Sequence, residues 1–353
     1  MPSHTFINRV SGVDWARIIQ PMRILDGYKD SEVEIECNVF DATKGESFDW
    51  RDVFAEYDAV YFNYTTNDVG YAIMGTLAQQ FKRKLICDLD DDIFNIQQGN
   101  PAFEVFKKGA WGRTVAKSVF NDVQHLTCTN RHLKHVLMNE TNKGDSLISI
   151  LPNYIDLSLY NHRCDFKDRG YYKAIHFGSS THHNDLYSEP FFRAMDRVMK
   201  EYPNFTFVSV GAFVPKYRNL WGTRYEQGFG DTDVLKWIEK MKPIMDDIDF
   251  AVVPLIDNTY NRSKSSIKFL ETSSYKIPGV WQDIRQYKEV VKHGENGYLA
   301  STEEEWYSSI ISLINDSKLR KIMGEKAFET IENGWQQKDH TKEYAQMFKK
   351  LLT

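Results

Sequence analysis

VPLIDNTYNRSKSSIKFLETSSY, residues 253–275, reads as the end of an apolar strand (249–255), a polar loop and a helix that opens at Ser263-Lys264-Ser265-Ser266. The start of a helix presents free backbone N–H groups and the positive end of its dipole, which together favour a phosphate. Lys264, Lys268 and Glu271 fall at i, i+4 and i+7, a spacing that predicts two ammonium groups and a carboxylate on one helical face. Such a face suits a diphosphate beside the cations and sugar hydroxyls beside the carboxylate. A plain solvated face with an i,i+4 pattern shares the same spacing.

Outward from this stretch the chain alternates strand and helix signals. In the first half, residues 5–10, 33–40, 59–63, 85–89, 125–128 and 147–151 are short apolar runs, with helical patterns at 14–27, 69–81 and 129–139. Residues 153–172 lose the pattern and read as a linker. Strands then recur at 174–177, 205–210, 250–255, 279–282 and 298–300, with helices at 186–201, 232–245 and 263–275, and a helical tail at 303–352 broken at Gly334-Trp335. Strands separated by helices of this length predict parallel βαβ units, hence an α/β chain of two Rossmann-like, doubly wound domains facing a cleft. In such sheets ligands bind at the carboxyl ends of strands, which directs attention to the loops after them.

Bulk composition narrows the class. At 353 residues two domains are expected. With 42% hydrophobic and 26% charged residues the chain is globular, and a net charge of −5 gives no global case for nucleic acid. Cys37, Cys87, Cys128 and Cys164 lack CxxC or Cys/His clustering, so buried reduced thiols are expected. Neither a signal peptide nor an apolar run approaching 18 residues is evident, which predicts a cytoplasmic protein without a membrane span.

Two further loops carry candidate chemistry. Cys87-Asp-Leu-Asp-Asp-Asp-Ile-Phe94 follows a predicted strand and crowds four acids into five residues. The Asp-x-Asp matches at 88/90 and 90/92 fit a divalent-metal site, a metal-free cleft in which one Asp positions or deprotonates an acceptor hydroxyl, or a solvated capping loop. Gly178-Ser-Ser-Thr-His-His-Asn-Asp185 follows the first strand of the second half and offers glycine, hydroxyls and imidazoles to a phosphate or sugar oxygen. A capping turn explains Asn184-Asp185 there but not Thr181-His182. Ser11-Gly12-Val13, with Arg17 one turn on, suits a loop approaching the cleft. There is no G-x-G-x-x-G or Walker pattern, and no order of residues compels a hydrolase.

Taken together these pieces resemble retaining glycosyltransferases of the glycosyltransferase-B fold, the group 1 type whose C-terminal half binds the sugar nucleotide. The matching pieces are Ser11-Gly12…Arg17…Pro21, Leu89-Asp90-Asp91-Asp92, the 151–156 run LPNYID, Gly178-Ser179-Ser180-Thr181-His182, Pro254-Leu255…Lys264-Ser265…Lys268…Glu271, and Ile277-Pro278…Tyr287…Glu289…Gly294-Glu295-Asn296-Gly297. The resemblance implies an N-terminal acceptor-side domain (1–155), a linker (156–172), a C-terminal nucleotide-sugar domain (173–335) and a final helix (336–353) packing back on the first domain.

It further implies a glycosyltransferase (hexosyl- or pentosyl-) moving sugar from a UDP- or GDP-sugar to an acceptor hydroxyl with retention, without a tightly bound cofactor or a metal. Catalysis is expected from Asp90, Asp91, His182 and Lys264. Donor binding is expected from Gly12, Arg17, Gly178, Ser179, Thr181, His183, Asn258, Tyr260, Ser265, Lys268 and Glu271. Many relatives carry a second glutamate eight positions before the one matched by Glu271, and Ser263 stands there. Asp257, Asn258 and Asn261 are candidate substitutes. The alternatives are a metal-dependent Asp-x-Asp transferase, an epimerase or hydrolase on the same fold, and a non-catalytic sugar-nucleotide or glycan-binding module. The acceptor expected from the resemblance is a glycan, a lipid or a modified nucleic acid such as a hydroxylated DNA base. Lysines and arginines with Phe103, Phe106 and Trp111 between residues 82 and 143 allow a polyanion, although an ordinary solvated surface has the same composition.

Overall fold

The computed structural model describes residues 11–39, 49–160, 169–228 and 233–352. The first described segment is helical from Gly12–Asp14 through a π-helical turn, Trp15–Ile19, to Gln20–Leu25. It leads into a small antiparallel ribbon of β1 (Tyr28–Lys29) and β2 (Glu34–Ile35). The strand expected at 33–40 is therefore mostly irregular, and the one expected at 5–10 lies outside the described residues.

Four parallel strands follow, β3 (Ala59–Asn63), β4 (Lys84–Leu89), β5 (His125–Cys128) and β6 (Ile148–Ile150), in that spatial order. Their apolar runs are continuous because helices cover the sheet, the usual reason parallel strands do not alternate. The helices Asp68–Phe81, Trp111–Asp122 and Arg131–Glu140 contribute Met74, Leu77, Val115, Val119, Phe120, Leu133 and Leu137 to the core around Leu85, Cys87 and Leu126. Cys87 and Cys128 are buried free thiols and Cys37 is half-buried; Cys164 lies outside the described residues.

The second sheet has six parallel strands: β7 (Tyr172–Gly178), β8 (Phe205–Gly211), β9 (Tyr225–Gly228), β10 (Phe250–Val253), β11 (Gly279–Gln282) and β12 (Tyr298–Ala300). Their order is β12-β11-β10-β7-β8-β9, which numbered along the half is 3-2-1-4-5-6 read from the β9 edge. The direction of winding reverses between β7 and β10, and a crevice opens there. Alternate residues feed two cores. Ile175, Phe177, Val208, Val210, Ala251 and Val253 face one side; Ala174, Phe205, Phe207, Phe250 and Val252 face the other. The edge strand β9 and the Pro215–Trp221 helix before it carry no sequence signal of their own kind. Tyr217, Trp221 and Tyr225 pack against one another in the core.

The tail comprises helices Glu303–Asn315, Ser317–Glu332 and Thr341–Leu352. Asp316 breaks the first from the second by accepting from Leu319 N, a helix-capping bond. The expected break at Gly334-Trp335 is present, and beyond it the chain crosses back. Ile155 and Gln336 form a parallel bridge at the crossing. Tyr344, Ala345, Met347 and Phe348 of the last helix then pack on Met22, Leu25, Ile86, Leu151 and Tyr154 of the first half. Full burial of a side chain of this kind contributes about 1.5–3 kcal/mol, so the tail ties the two halves together. Among the described residues no helix is long and apolar enough to cross a membrane.

Candidate active site

The carboxyl ends of β4 and β5 in the first half face those of β7 and β10 in the second, and the candidate residues gather between them. The stretch 253–275 differs from its sequence reading in one respect. The helix does not open at Ser263: a short helix, Thr259–Arg262, comes first, and the main helix is Ile267–Ser274 with Ser266 at its N-cap. Asn258 starts the short helix by accepting from Asn261 N at 2.8 Å. Asn130 then draws the chain away by donating to Ser263 O at 2.6 Å, so the carbonyl ladder is interrupted. Lys264 consequently sits in a loop and does not share a helical face with Lys268 and Glu271.

The loop nevertheless delivers Lys264 to the cleft. Its ammonium meets Asp91 Oδ1 at 3.4 Å and lies 4.7 Å above the Tyr260 ring. The Tyr260 hydroxyl donates to Asp91 Oδ2 at 3.2 Å, and Asn100 donates to that hydroxyl at 3.3 Å. Burial works against the Lys264 charge, but Asp91, Tyr260, Asp185 and Asp90 outweigh it and raise its pKa.

The four acids after β4 separate by role. Asp88 is fully buried and paired with Arg17, and it accepts from the Tyr61 and Thr127 hydroxyls. Asp92 is also buried and accepts from Phe94 N, Asn95 N and the Asn95 amide, which closes its own turn. Asp91 crosses the cleft as described. Asp90 alone has no hydrogen-bond partner for its carboxyl among the described residues, and burial together with Asp91 and Asp88 pushes its pKa up to about 7. Neither Asp-x-Asp pair presents two free carboxylates. Among the described residues no group of three or more His, Cys, Asp or Glu side chains is placed to hold a metal ion.

On the opposite wall Gly178 ends β7 and pairs with Gly211 of β8. Gly211 has φ +85°, and a Cβ there would stand 2.2 Å from Gly178 O; a Cβ on Gly178 would stand 2.8 Å from the His182 ring. Both positions therefore require glycine. His182 is buried, with Nδ1 3.0 Å from Asp185 Oδ2 and Nε2 2.9 Å from Lys268 Nζ. Burial and the charges of Lys268 and Lys264 hold its pKa well below the ordinary value. Burial likewise lowers the pKa of Lys268, helped by Lys264 and opposed by Glu271, and raises that of Glu271, opposed by Lys268.

Asp185 was expected only as a capping residue, yet it organises this wall. Its Oδ1 accepts from Ile256 N at 3.0 Å and from the Asn261 amide at 2.8 Å. The His-x-x-Asp spacing at 182/185, one helical turn, is the sequence signal that could have found it. The remaining expected residues are placed as follows. Ser179 and Thr181 bond to each other at 2.6 Å in the Gly178 loop. His183 packs on Tyr187 instead of joining His182. Asn258 caps its short helix, Asn261 holds Asp185, and Asp257 pairs with Arg262. All three candidate substitutes for the glutamate absent at 263 are thus engaged elsewhere. Gly12 is exposed at the start of its helix.

Arg17 is not brought to the cleft surface. It is fully buried; Nε and Nη2 grip Asp88 at 2.9 and 2.7 Å, and Nη1 donates to Leu151 O and Asn153 Oδ1 at 2.6 and 2.8 Å. Ser265 belongs to a cavity of about 570 Å³ between the halves, together with Thr129, Asn130, Asn153, Lys264 and Arg285. A larger groove, about 870 Å³, runs between the Asp68–Phe81 and Trp111–Asp122 helices; none of the catalytic or donor-binding candidates lines it, whereas Lys82, Arg83, Lys84 and Trp111 of the basic and aromatic segment do.

Residues 173–316 match the family model described as glycosyl transferases group 1. The matched stretch runs from β7 through the helix Glu303–Asn315, so the second half of the chain resembles a group 1 glycosyl transferase domain. Solved structures extend the likeness to the whole fold, which is the glycosyltransferase-B fold. A glycosyltransferase from Rickettsia africae is 11% identical with a TM-score of 0.61, covering 98% of this chain and 100% of its own. HepE of Anabaena, solved with UDP-glucose, is 15% identical with a TM-score of 0.61 over 84% of this chain and 80% of its own. TarM is 13% identical with a TM-score of 0.60 over 82% of this chain; the chain spans about half of TarM, 54%. No curated protein matches by sequence. At these identities the solved structures speak for fold, and the group 1 domain speaks for chemistry.

Proposed function

We propose that the chain transfers a sugar from a nucleoside-diphosphate sugar to an acceptor hydroxyl, with retention at the anomeric carbon. The observation that carries this reading is the juxtaposition, at the reversal between β7 and β10, of Lys264, Lys268 and His182 with the unpaired carboxyl of Asp90 across the cleft. Cations fixed in a half-buried crevice stabilise charge developing on a leaving diphosphate more than they stabilise the intact donor, because they need no reorganisation as it forms. Glu271, within reach of Lys268's field and deeper along the same helix, is suited to ribose hydroxyls. Asp90, ionising near neutrality, is suited to accept the proton of the incoming hydroxyl. HepE, of the same fold, has been solved with UDP and with UDP-glucose, which favours testing uridine donors first.

One observation favours a second reading, a binding module without turnover. Ser263 stands where many of the glycosyltransferases that the chain resembles carry a glutamate, and Asp257, Asn258 and Asn261 are all engaged within the second half. A thermal-shift screen of UDP- and GDP-sugars, followed by product analysis with and without acceptor, separates the readings. Donor binding with sugar transfer supports the transferase, donor binding without turnover supports the module, and hydrolysis alone supports a hydrolase.

A further inference from the structure

Two asparagines of the first half are wired alike. Asn130 Oδ1 accepts from Leu133 N at 3.0 Å within its own half, and its amide nitrogen donates to Ser263 O at 2.6 Å in the other. Asn153 Oδ1 accepts from Arg17 Nη1 at 2.8 Å, and its amide nitrogen donates to Ser265 Oγ at 2.8 Å. An amide oxygen held by a donor cannot exchange places with its nitrogen, because a flipped Asn153 would set NH2 against a guanidinium. The NH2 group is therefore obliged to face the second half. Arg17 is itself fixed, with its bidentate grip on buried Asp88 on one side and Leu151 O on the other. Lys264 lies between the two gripped residues.

We propose that Asn153, oriented by buried Arg17, is a positioning residue that sets the loop carrying Lys264 through Ser265. Arg17 is sealed from the cleft, and this amide is the hydrogen-bonded link by which it reaches the Lys264 loop. The wiring stands on geometry alone; its consequence for turnover rests on the proposed transferase reading of Lys264. Because the Asn153 bond occupies a lone pair of Ser265, the serine O–H stays free to donate into the cavity the loop lines.

The test uses the full chain with Asn153→Leu, Ser265→Ala, the double variant and Asn153→Asp. Amide hydrogen exchange is followed across residues 258–266. Asn153→Leu and Ser265→Ala each accelerate exchange there by roughly five- to tenfold, the effect of one lost hydrogen bond. The double variant goes no further than either single one. Asn153→Asp restores protection, since a carboxylate accepts from both Arg17 and the Ser265 hydroxyl. Unchanged exchange in Ser265→Ala, or effects that simply add in the double variant, overturns the relay; Ser265→Ala carries the test should Asn153→Leu not fold. With donor turnover in hand, Asn153→Leu lowers kcat about tenfold while donor KM stays within about threefold, and Asn153→Asp recovers it. Absence of any UDP- or GDP-sugar binding by the unaltered chain sinks the transferase reading, while the exchange result still upholds the relay.

Discussion

Lys268 Nζ stands 2.9 Å from His182 Nε2, while His182 Nδ1 stands 3.0 Å from Asp185. An ammonium only donates, so Nε2 accepts and the ring proton resides on Nδ1, directed at the carboxylate. Burial and two lysines hold the ring neutral. Nitrogen NMR shifts of His182 are expected to stay those of the neutral Nδ1–H tautomer from pH 5 to pH 8. A titration in that range would break the assignment, and His182→Ala should release Lys268 and weaken donor binding about tenfold.

Lys264 joins the halves through Asp91. Lys264→Ala is expected to cut turnover on the order of 10²-fold, the scale of losing one fixed charge-stabilising donor. It should also raise the pKa of Lys268, for which Lys264 is the nearby like charge. Steady-state kinetics on the best donor, compared with the unaltered chain, measure the first effect. Full activity in the variant would remove Lys264 from the chemistry.

Asp90 gives a pH signature. Its folded pKa of about 7 lies above the ordinary 3.8, so the native state keeps a proton that the unfolded chain has lost between those values. Stability attributable to this group is full below about pH 4, declines as pH rises through the window and is gone above pH 7. Asp90→Asn removes the decline. The variant's Tm is expected to exceed that of the unaltered chain at pH 8 and to match it near pH 4. Glu271 titrates upward in the same range, but it is common to both proteins and cancels in the difference. Turnover should fall by about 10²-fold or more if Asp90 is the base.

Arg17→Ala leaves Asp88 buried and uncompensated. A loss of about 3–5 kcal/mol is expected by urea titration, and Arg17→Ala with Asp88→Asn should recover part of it. A loss under about 1 kcal/mol would mean that the pair is a minor stabilising element.

Gly211→Ala places a methyl group against Gly178 O at a left-handed backbone position. The expected cost is about 1–3 kcal/mol in stability, together with weaker donor binding, because the displaced strand end leads directly into the turn that holds His182. Thermal unfolding and a donor titration on the same preparation check both.

Much of the fold was legible because its signals are local. Apolar runs of four to seven residues mark most strands, and the intervening helices carry their own caps, such as Asn67 and Asn130. Where a non-local partner decides, the reading fell short. The Ile267–Ser274 helix starts four residues later than its composition suggests, since Asn130, more than a hundred positions away in sequence, draws Ser263 out of the ladder. Edge strand β9 has little apolar patterning and is held by β8.

The sequence by itself determined the βαβ alternation, the placing of acidic, glycine-histidine and lysine clusters after strands, and the absence of a carboxylate at 263. These depend on residue type and spacing along the chain. Only the tertiary structure decided which members of each cluster face the cleft. Asp88 and Arg17 satisfy each other in the interior, Asp92 satisfies its own turn, and Asp90, in the field of Lys264, has no hydrogen-bond partner for its carboxyl among the described residues. Charges brought out of water must find partners or shift their protonation, and which partner is within 3 Å is a property of the packed chain rather than of the sequence read along its length.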